Sequence, residues 1–196
     1  MSQETNSNDE IEIIKEMVRG YRAQQPKLNL LVFGPGEGNP DDYASKCFKK
    51  RYEIKSFFAN SHIVILPEEA YCEAKRQNVR DLTITSFEKF LLEQCDLAIF
   101  LHISNCPGVE HELSTFSIMP DIIRKILLFH AIDCDYDSNW VFDERIKRIK
   151  GGNGRVETFS QNDIEQCHLR KRIAEVVECM VSLRSLFPYK KYGACC

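Results

Sequence analysis

The sequence predicts an α/β fold: a parallel sheet of about five strands with helices on both faces, in three layers. Three observations carry this expectation. Short continuous apolar runs recur at 28–34 (LNLLVFG), 62–67 (HIVILP), 96–103 (DLAIFLHI) and 125–132 (KILLFHAI). Runs of that length without polar alternation suit strands buried on both faces. Stretches with helical periodicity separate them, and strands alternating with helices build parallel sheets. Glycine and proline punctuate the ends of two runs, in GPGEGNPDD (34–42) and SNCPGVEHELSTF (104–116).

The elements follow in order. Residues 1–9 are polar and read as a disordered tail. Residues 10–196 read as one domain, a length that supports a single core. Ile11, Ile13, Ile14, Met17 and Val18 predict a helix over 10–21. The first strand ends at Gly34, and a helix is expected over 42–58. The second strand is followed by a polar insert, 68–84, that is partly helical. An amphipathic helix over 86–95 leads into the third strand, and another runs from the SNCPG turn to about residue 118. The fourth strand opens onto 133–154, the longest stretch expected to be irregular, and loops of that length are often functional. RVETFS (155–160) predicts a fifth strand. Ile164, Leu169, Ile173, Val176, Val177, Met180 and Leu183 predict one long helix over 163–186.

The chain has 196 residues, 43% hydrophobic and 28% charged, which excludes disorder of the whole. A net charge of −3 gives no general pull toward nucleic acid. The charge is uneven. Residues 145–196 hold 11 Lys+Arg and 5 Asp+Glu, a net +6, and the residues before them 15 and 24, a net −9. A basic C-terminal third is either a solvated helix surface or a contact for nucleic acid or an acidic protein. The nine cysteines are odd in number and scattered, with no CxxC pair, so neither a zinc site nor a disulfide framework is indicated. A reducing cytoplasm is expected. Residues 1–8 lack the apolar core of a signal peptide, and the Cys195-Cys196 end is not a C-a-a-X box. No run approaches the roughly 18 apolar residues of a membrane span. The histidines show no metal-ligand spacing, His102 and His130 fall inside apolar strands, and no Gly-x-Ser-x-Gly elbow occurs. No metal or cofactor is expected.

Right-handed crossovers put the C-terminal ends of all strands on one edge, where ligands of such sheets bind. Four segments meet there. In the first, Gly34, Pro35 and Gly36 form either a backbone cradle for a phosphate or sugar, or a plain strand-to-helix turn capped by Asp41 or Asp42. The second is Glu68, just past a strand end, either a ribose-hydroxyl ligand or a solvated carboxylate. The third carries Ser104, Gly108 and Glu112. A carboxylate near a helix start is expected to have its pKa lowered by the dipole, which suits a nucleophile or hydroxyl acceptor. Glu110, two residues away, faces elsewhere. The fourth, with Asp133, Asp135, Tyr136 and Trp140, offers an aromatic that stacks on a base or packs in the core.

The order of LLVFGPG, KKRYEIKSFF, HIVILPEE, CDLAIFLHIS, GVEHELSTF and KILLF resembles nucleoside 2-deoxyribosyltransferase-like proteins. These belong to a wider Rossmann-like group that includes SLOG-type domains and TIR-like NADases. The resemblance spans about 28–159 and is nearest to the deoxyribosyltransferase-like effectors of prokaryotic anti-phage systems, retron effectors among them. Their pattern of glycine, three residues, Glu-Leu, two residues and Phe is met by Gly108, Glu112, Leu113 and Phe116. The resemblance implies a Rossmann-like or flavodoxin-like sheet and cleavage of the N-glycosidic bond of NAD or a (deoxy)nucleotide. Glu112 would act at the anomeric carbon, with Gly34, Pro35 and Gly36 beside the sugar or phosphate and Glu68 on the ribose. It also implies a homo-oligomer or a defence-system complex. An Asp that orients the base in transferases has no counterpart placed here. NCPGVEH departs from the small-residue approach of phosphoribohydrolase relatives. Transfer, hydrolysis, a non-catalytic nucleotide sensor and a partner-controlled toxin subunit therefore stay open.

Overall fold

The computed structural model describes residues 25–37, 42–77, 83–104, 106–132 and 140–186. Five strands, β1 (Asn29–Phe33), β2 (Ile63–Ile65), β3 (Leu97–His102), β4 (Ile126–Ala131) and β5 (Arg155–Phe159), form one parallel sheet in the order β2-β1-β3-β4-β5. The helices among the described residues are α1 (Asp42–Phe58), α2 (Pro67–Arg76), α3 (Ile84–Gln94), α4 (Pro107–Phe116), α5 (Pro120–Ile123), α6 (Trp140–Gly151), α7 (Gln161–Glu165) and α8 (His168–Leu186). The architecture is a three-layer α/β/α Rossmann-like fold, and the strand order is the flavodoxin-like one.

The apolar runs become strands because the sheet buries them from both sides. β3 pairs with β1 and β4 and is buried along its whole length. β2 lies at the edge, is three residues long, and leaves Ile63 half-exposed. Phe33 and Phe100, register partners on β1 and β3, stack with ring centroids 4.4 Å apart. They form an aromatic floor at the C-terminal end of the sheet.

Local signals fix the helix ends. Thr83 caps α3 by accepting from the Ser86 amide at 3.2 Å. At the other end of α3, buried Lys125 donates from Nζ to the carbonyls of Leu92 and Glu93, each at 2.9 Å. This satisfies orphan carbonyls and puts a cation at the negative end of the helix.

Two expectations are corrected. The stretch 133–154 is not irregular throughout, because α6 occupies Trp140–Gly151. Phe142, Ile146 and Ile149 stand at helical spacing, with Phe142 and Ile149 buried, and that stripe outweighs the charged residues between them. The long terminal helix is broken into α7 and α8. Cys167 takes the left-handed conformation, φ 61°, which ends the first helix without any glycine or proline to announce it. A capping box between Ser160 and Asp163 starts α7.

The 1–9 tail, the helix expected over 10–21, and Cys195-Cys196 lie outside the described residues. Several C-terminal cations serve the fold itself. Arg155 and Arg172 both pair with Glu157, Arg184 pairs with Asp96 at 2.9 Å, and Arg170 lies over the Phe57 ring. No helix among the described residues is long and apolar enough to cross a membrane.

Candidate active site

Strand order turns between β1 and β3, since the chain leaves β1 for β2 on one side and returns to β3 on the other. The segments leaving these two strands diverge and open a crevice. A cleft of about 710 Å³ lies there. The end of β1 and its loop supply Phe33, Gly34, Gly36 and Glu37. Helix α1 supplies Phe48, Arg51 and Tyr52, α2 supplies Glu68, α3 supplies Ile84 and Glu88, and the start of α4 supplies Cys106, Gly108 and Glu112.

Of the expected residues, Gly34, Gly36, Glu68, Gly108 and Glu112 meet at this cleft. Pro35 and Ser104 do not line it. Pro35 is buried, and its carbonyl accepts from Arg51 Nη1 at 3.0 Å. Ser104 is half-buried. Asp133, Asp135 and Tyr136 and the Trp140 side chain lie outside the described residues.

One wall is built on Arg51, a residue the sequence reading missed. Its guanidinium is 2% exposed. Nη1 donates to the carbonyls of Gly34 (3.2 Å) and Pro35, and Nη2 donates to Val32 O at 3.3 Å and to both Glu68 oxygens at 2.5 Å. Arg51 therefore staples the β1 loop to α2. Glu68 is its counter-ion, where the sequence left a ribose ligand or a solvated carboxylate. The role of Gly34 is also clear: a Cβ there would meet Arg51 Cδ at 2.8 Å and Leu101 Cβ at 3.3 Å. The glycine makes room for the arginine beneath the loop. At Gly36 and Gly108 an added Cβ would meet nothing within 4 Å, and both face open cleft.

The other wall carries the second missed residue, Glu88, which is 5% exposed. Its carboxyl lies beside that of Glu112, within reach of a hydrogen bond once either is protonated. The burial pattern of α4 explains how Glu112 arrives there. Val109, Leu113 and Phe116 face the sheet, and Glu112 flanks that stripe on the cleft side. Glu110 lies on the other flank, its carboxylate 3.9 Å from His102 Nε2. The two glutamates do face different ways.

The expected lowering of the Glu112 pKa is overturned. Burial, and then the negative charge of Glu88, push it up to about 9. Glu112 is the sixth residue of α4, beyond the first turn where the dipole acts, so desolvation wins. Burial also raises Glu88, to about 7. Burial and their mutual repulsion favour a protonated carboxyl in this pair near neutral pH, and one Glu112 oxygen, Oε2, is buried without a hydrogen-bond partner. A pair of this kind can donate one proton and supply one carboxylate. Cys106 is a weak competitor for nucleophile, because burial pushes its thiol up and keeps it protonated.

A scan against protein-family models gives no match, and a search of curated proteins gives none. The site's own chemistry therefore carries the functional reading.

A second cluster lies farther along the same sheet edge. His102 and His130 are register partners on β3 and β4, and the Phe142 ring stacks on His102 at 4.4 Å and meets His130 edge-on at 5.6 Å. Burial lowers both pKa values, His102 to about 3, so both rings are neutral packing groups. No group of three or more His, Cys, Asp or Glu that could hold a metal occurs among the described residues.

Proposed function

We propose that the cleft cleaves an N-glycosidic bond, with Glu112 and Glu88 as its acid–base pair. The observation that carries this is the juxtaposition of two buried carboxyls, Glu88 and Glu112, in a switch-point cleft that Phe33 also lines. Glycoside cleavage needs these two states of a carboxyl, one to protonate the leaving group and one to stabilise an oxocarbenium-like carbon. A neutral base takes a proton from the pair as the C1′–N bond breaks and its electrons move to nitrogen, and a pyridinium base takes the electrons alone. The carboxylate left behind stabilises C1′. Water then adds at C1′, and its proton returns to the pair, so the pair ends as it began. The Val109 amide is engaged by the Cys106 sulfur, and the Gly108 amide at the uncapped start of α4 suits a sugar hydroxyl. Arg51 and Glu68 hold the loop that closes the site and take no part in proton transfer.

The resemblance to deoxyribosyltransferase-like effectors supports the same chemistry on NAD or a (deoxy)nucleotide. It also supports a toxin-type role in prokaryotic anti-phage defence, in the cytoplasm, as a homo-oligomer or with a controlling partner. Contact of the basic C-terminal region with nucleic acid or an acidic protein belongs to that wider reading.

The test is chromatography of NAD, nucleotide and nucleoside mixtures after incubation with the protein and with Glu112→Gln. Release of free base or nicotinamide by the wild type alone is the expected result. Binding by both proteins without any product would replace catalysis with nucleotide sensing.

A further inference from the structure

We infer that the cleft selects N-glycosides whose base is cationic and whose sugar carries no phosphate, a pyridinium-type nucleoside rather than a nucleotide. This rests on the reading of the cleft as a glycoside site and narrows it, setting an unphosphorylated nucleoside in place of the NAD or nucleotide that the resemblance suggests. Two independent features support it. The first is charge. Among the described lining residues are Glu37, Glu68, Glu88 and Glu112, and the single cation is Arg51. The two terminal nitrogens of Arg51 are taken by Glu68 and three carbonyls, and Nε, which has no partner, is buried, so the group presents no open donor to a phosphate in the cleft. The N-terminus of α4 offers the equivalent of about half a positive charge. Glu37 at the mouth and Glu88 inside outweigh it. The half-charge suits a neutral hydroxyl oxygen, whereas a phosphate would bring two further negative charges into an already acidic cleft.

The second feature is aromatic. Phe48 and Tyr52, one turn apart on α1, line the cleft with ring centroids 5.1 Å apart. Tyr52 is more than a third exposed, so a face is open to a ligand. Burial and the charges of Glu69 and Glu68 hold its phenol above the ordinary value, so the ring stays neutral. Aromatic faces beside carboxylates form the recognition chemistry of organic cations. A cationic base leaves as a neutral molecule and needs no proton from the pair: the C1′–N electrons cancel the ring charge, a carboxylate of the pair stabilises C1′, water supplies the hydroxyl there, and the water proton passes to that carboxylate and on to solvent.

Equilibrium dialysis of the full chain tests this with three probes of one shape: nicotinamide riboside, its uncharged 1,4-dihydro form, and its 5′-phosphate. Consumption of each is followed in parallel by chromatography. The cationic riboside is expected to bind about tenfold more tightly than either of the others, and added salt is expected to weaken it. Tyr52→Leu should remove most of the advantage over the dihydro form, and Glu37→Gln should narrow the advantage over the phosphate. Both positions are exposed, which keeps the variants foldable. Equal or tighter binding of the phosphate, or no binding of the riboside, overturns the inference. Turnover without charge preference leaves the glycosidase standing and removes the selectivity. Preference without turnover does the reverse.

Discussion

The two walls of the cleft each bring a glutamate to a buried partner, and they resolve it in opposite ways. Glu68 meets an arginine in a two-oxygen contact, and Glu112 meets another glutamate. The first arrangement fixes a loop. The second holds a proton in place of a counter-charge. The lesson is that a carboxylate at the right edge of a sheet is not chemical by position. Its partner decides whether it serves as a strut or as an acid.

The comparison breaks most completely at Arg51. Arg51→Met would remove the buried donor shared by three carbonyls and Glu68, and a loss of about 3–5 kcal/mol from the several lost hydrogen bonds is expected in chemical denaturation. Arg51→Lys should recover little, because an ammonium cannot reproduce the planar fork. On the other wall, Glu88→Gln and Glu112→Gln should each lower the rate of base release about 10²–10⁴-fold, measured as product per time. Their stability should move the other way from Arg51→Met. The unfolded chain gives up the Glu112 proton near its ordinary value of 4.5, and the folded protein holds it to about 9. Stability from this group is therefore full below pH 4.5 and is lost as pH rises toward 9. Glu112→Gln should flatten that decline and unfold at higher denaturant than the wild type at pH 8, by about 1–3 kcal/mol. The smallest effect is expected at the glycines. Gly34→Ala should cost about 1–3 kcal/mol through its clash with Arg51. Gly36→Ala, facing open space, should change stability by no more than about 0.5 kcal/mol.

Much of the fold was legible because burial on both faces leaves a plain mark. The runs at 28–34, 96–103 and 125–132 contain β1, β3 and β4 with only their end residues outside. The break at Cys167 was not legible, since a left-handed cysteine has no sequence signature. The site was half legible. Glu112 and the glycines stand in loops and helix starts where function is sought. Arg51 and Glu88 hide inside helices. Yet each carries a signal in the sequence. In α1 the buried positions are Ala44, Cys47, Lys50, Arg51, Ile54 and Phe58, and in α3 Glu88 lies one turn before buried Leu92. A charged residue in a core register marks a site where a partner must be supplied. Finding the partner needs the fold, because Glu68 and Glu112 come from other helices. The helix-dipole expectation for Glu112 failed for a related reason: desolvation depends on neighbours that α4 alone does not reveal.

The most direct test of the central claim is a carbon-13 NMR titration of the glutamate carboxyls in the wild type and in Glu88→Gln. The account predicts that Glu112 in the wild type stays protonated through neutral pH and titrates toward 9. It predicts a lower midpoint in the variant, where the neighbouring charge is gone. A Glu112 carboxyl that ionises near 4.5 in the wild type, and does not respond to Glu88→Gln, would contradict the shared proton and the acid–base role built on it.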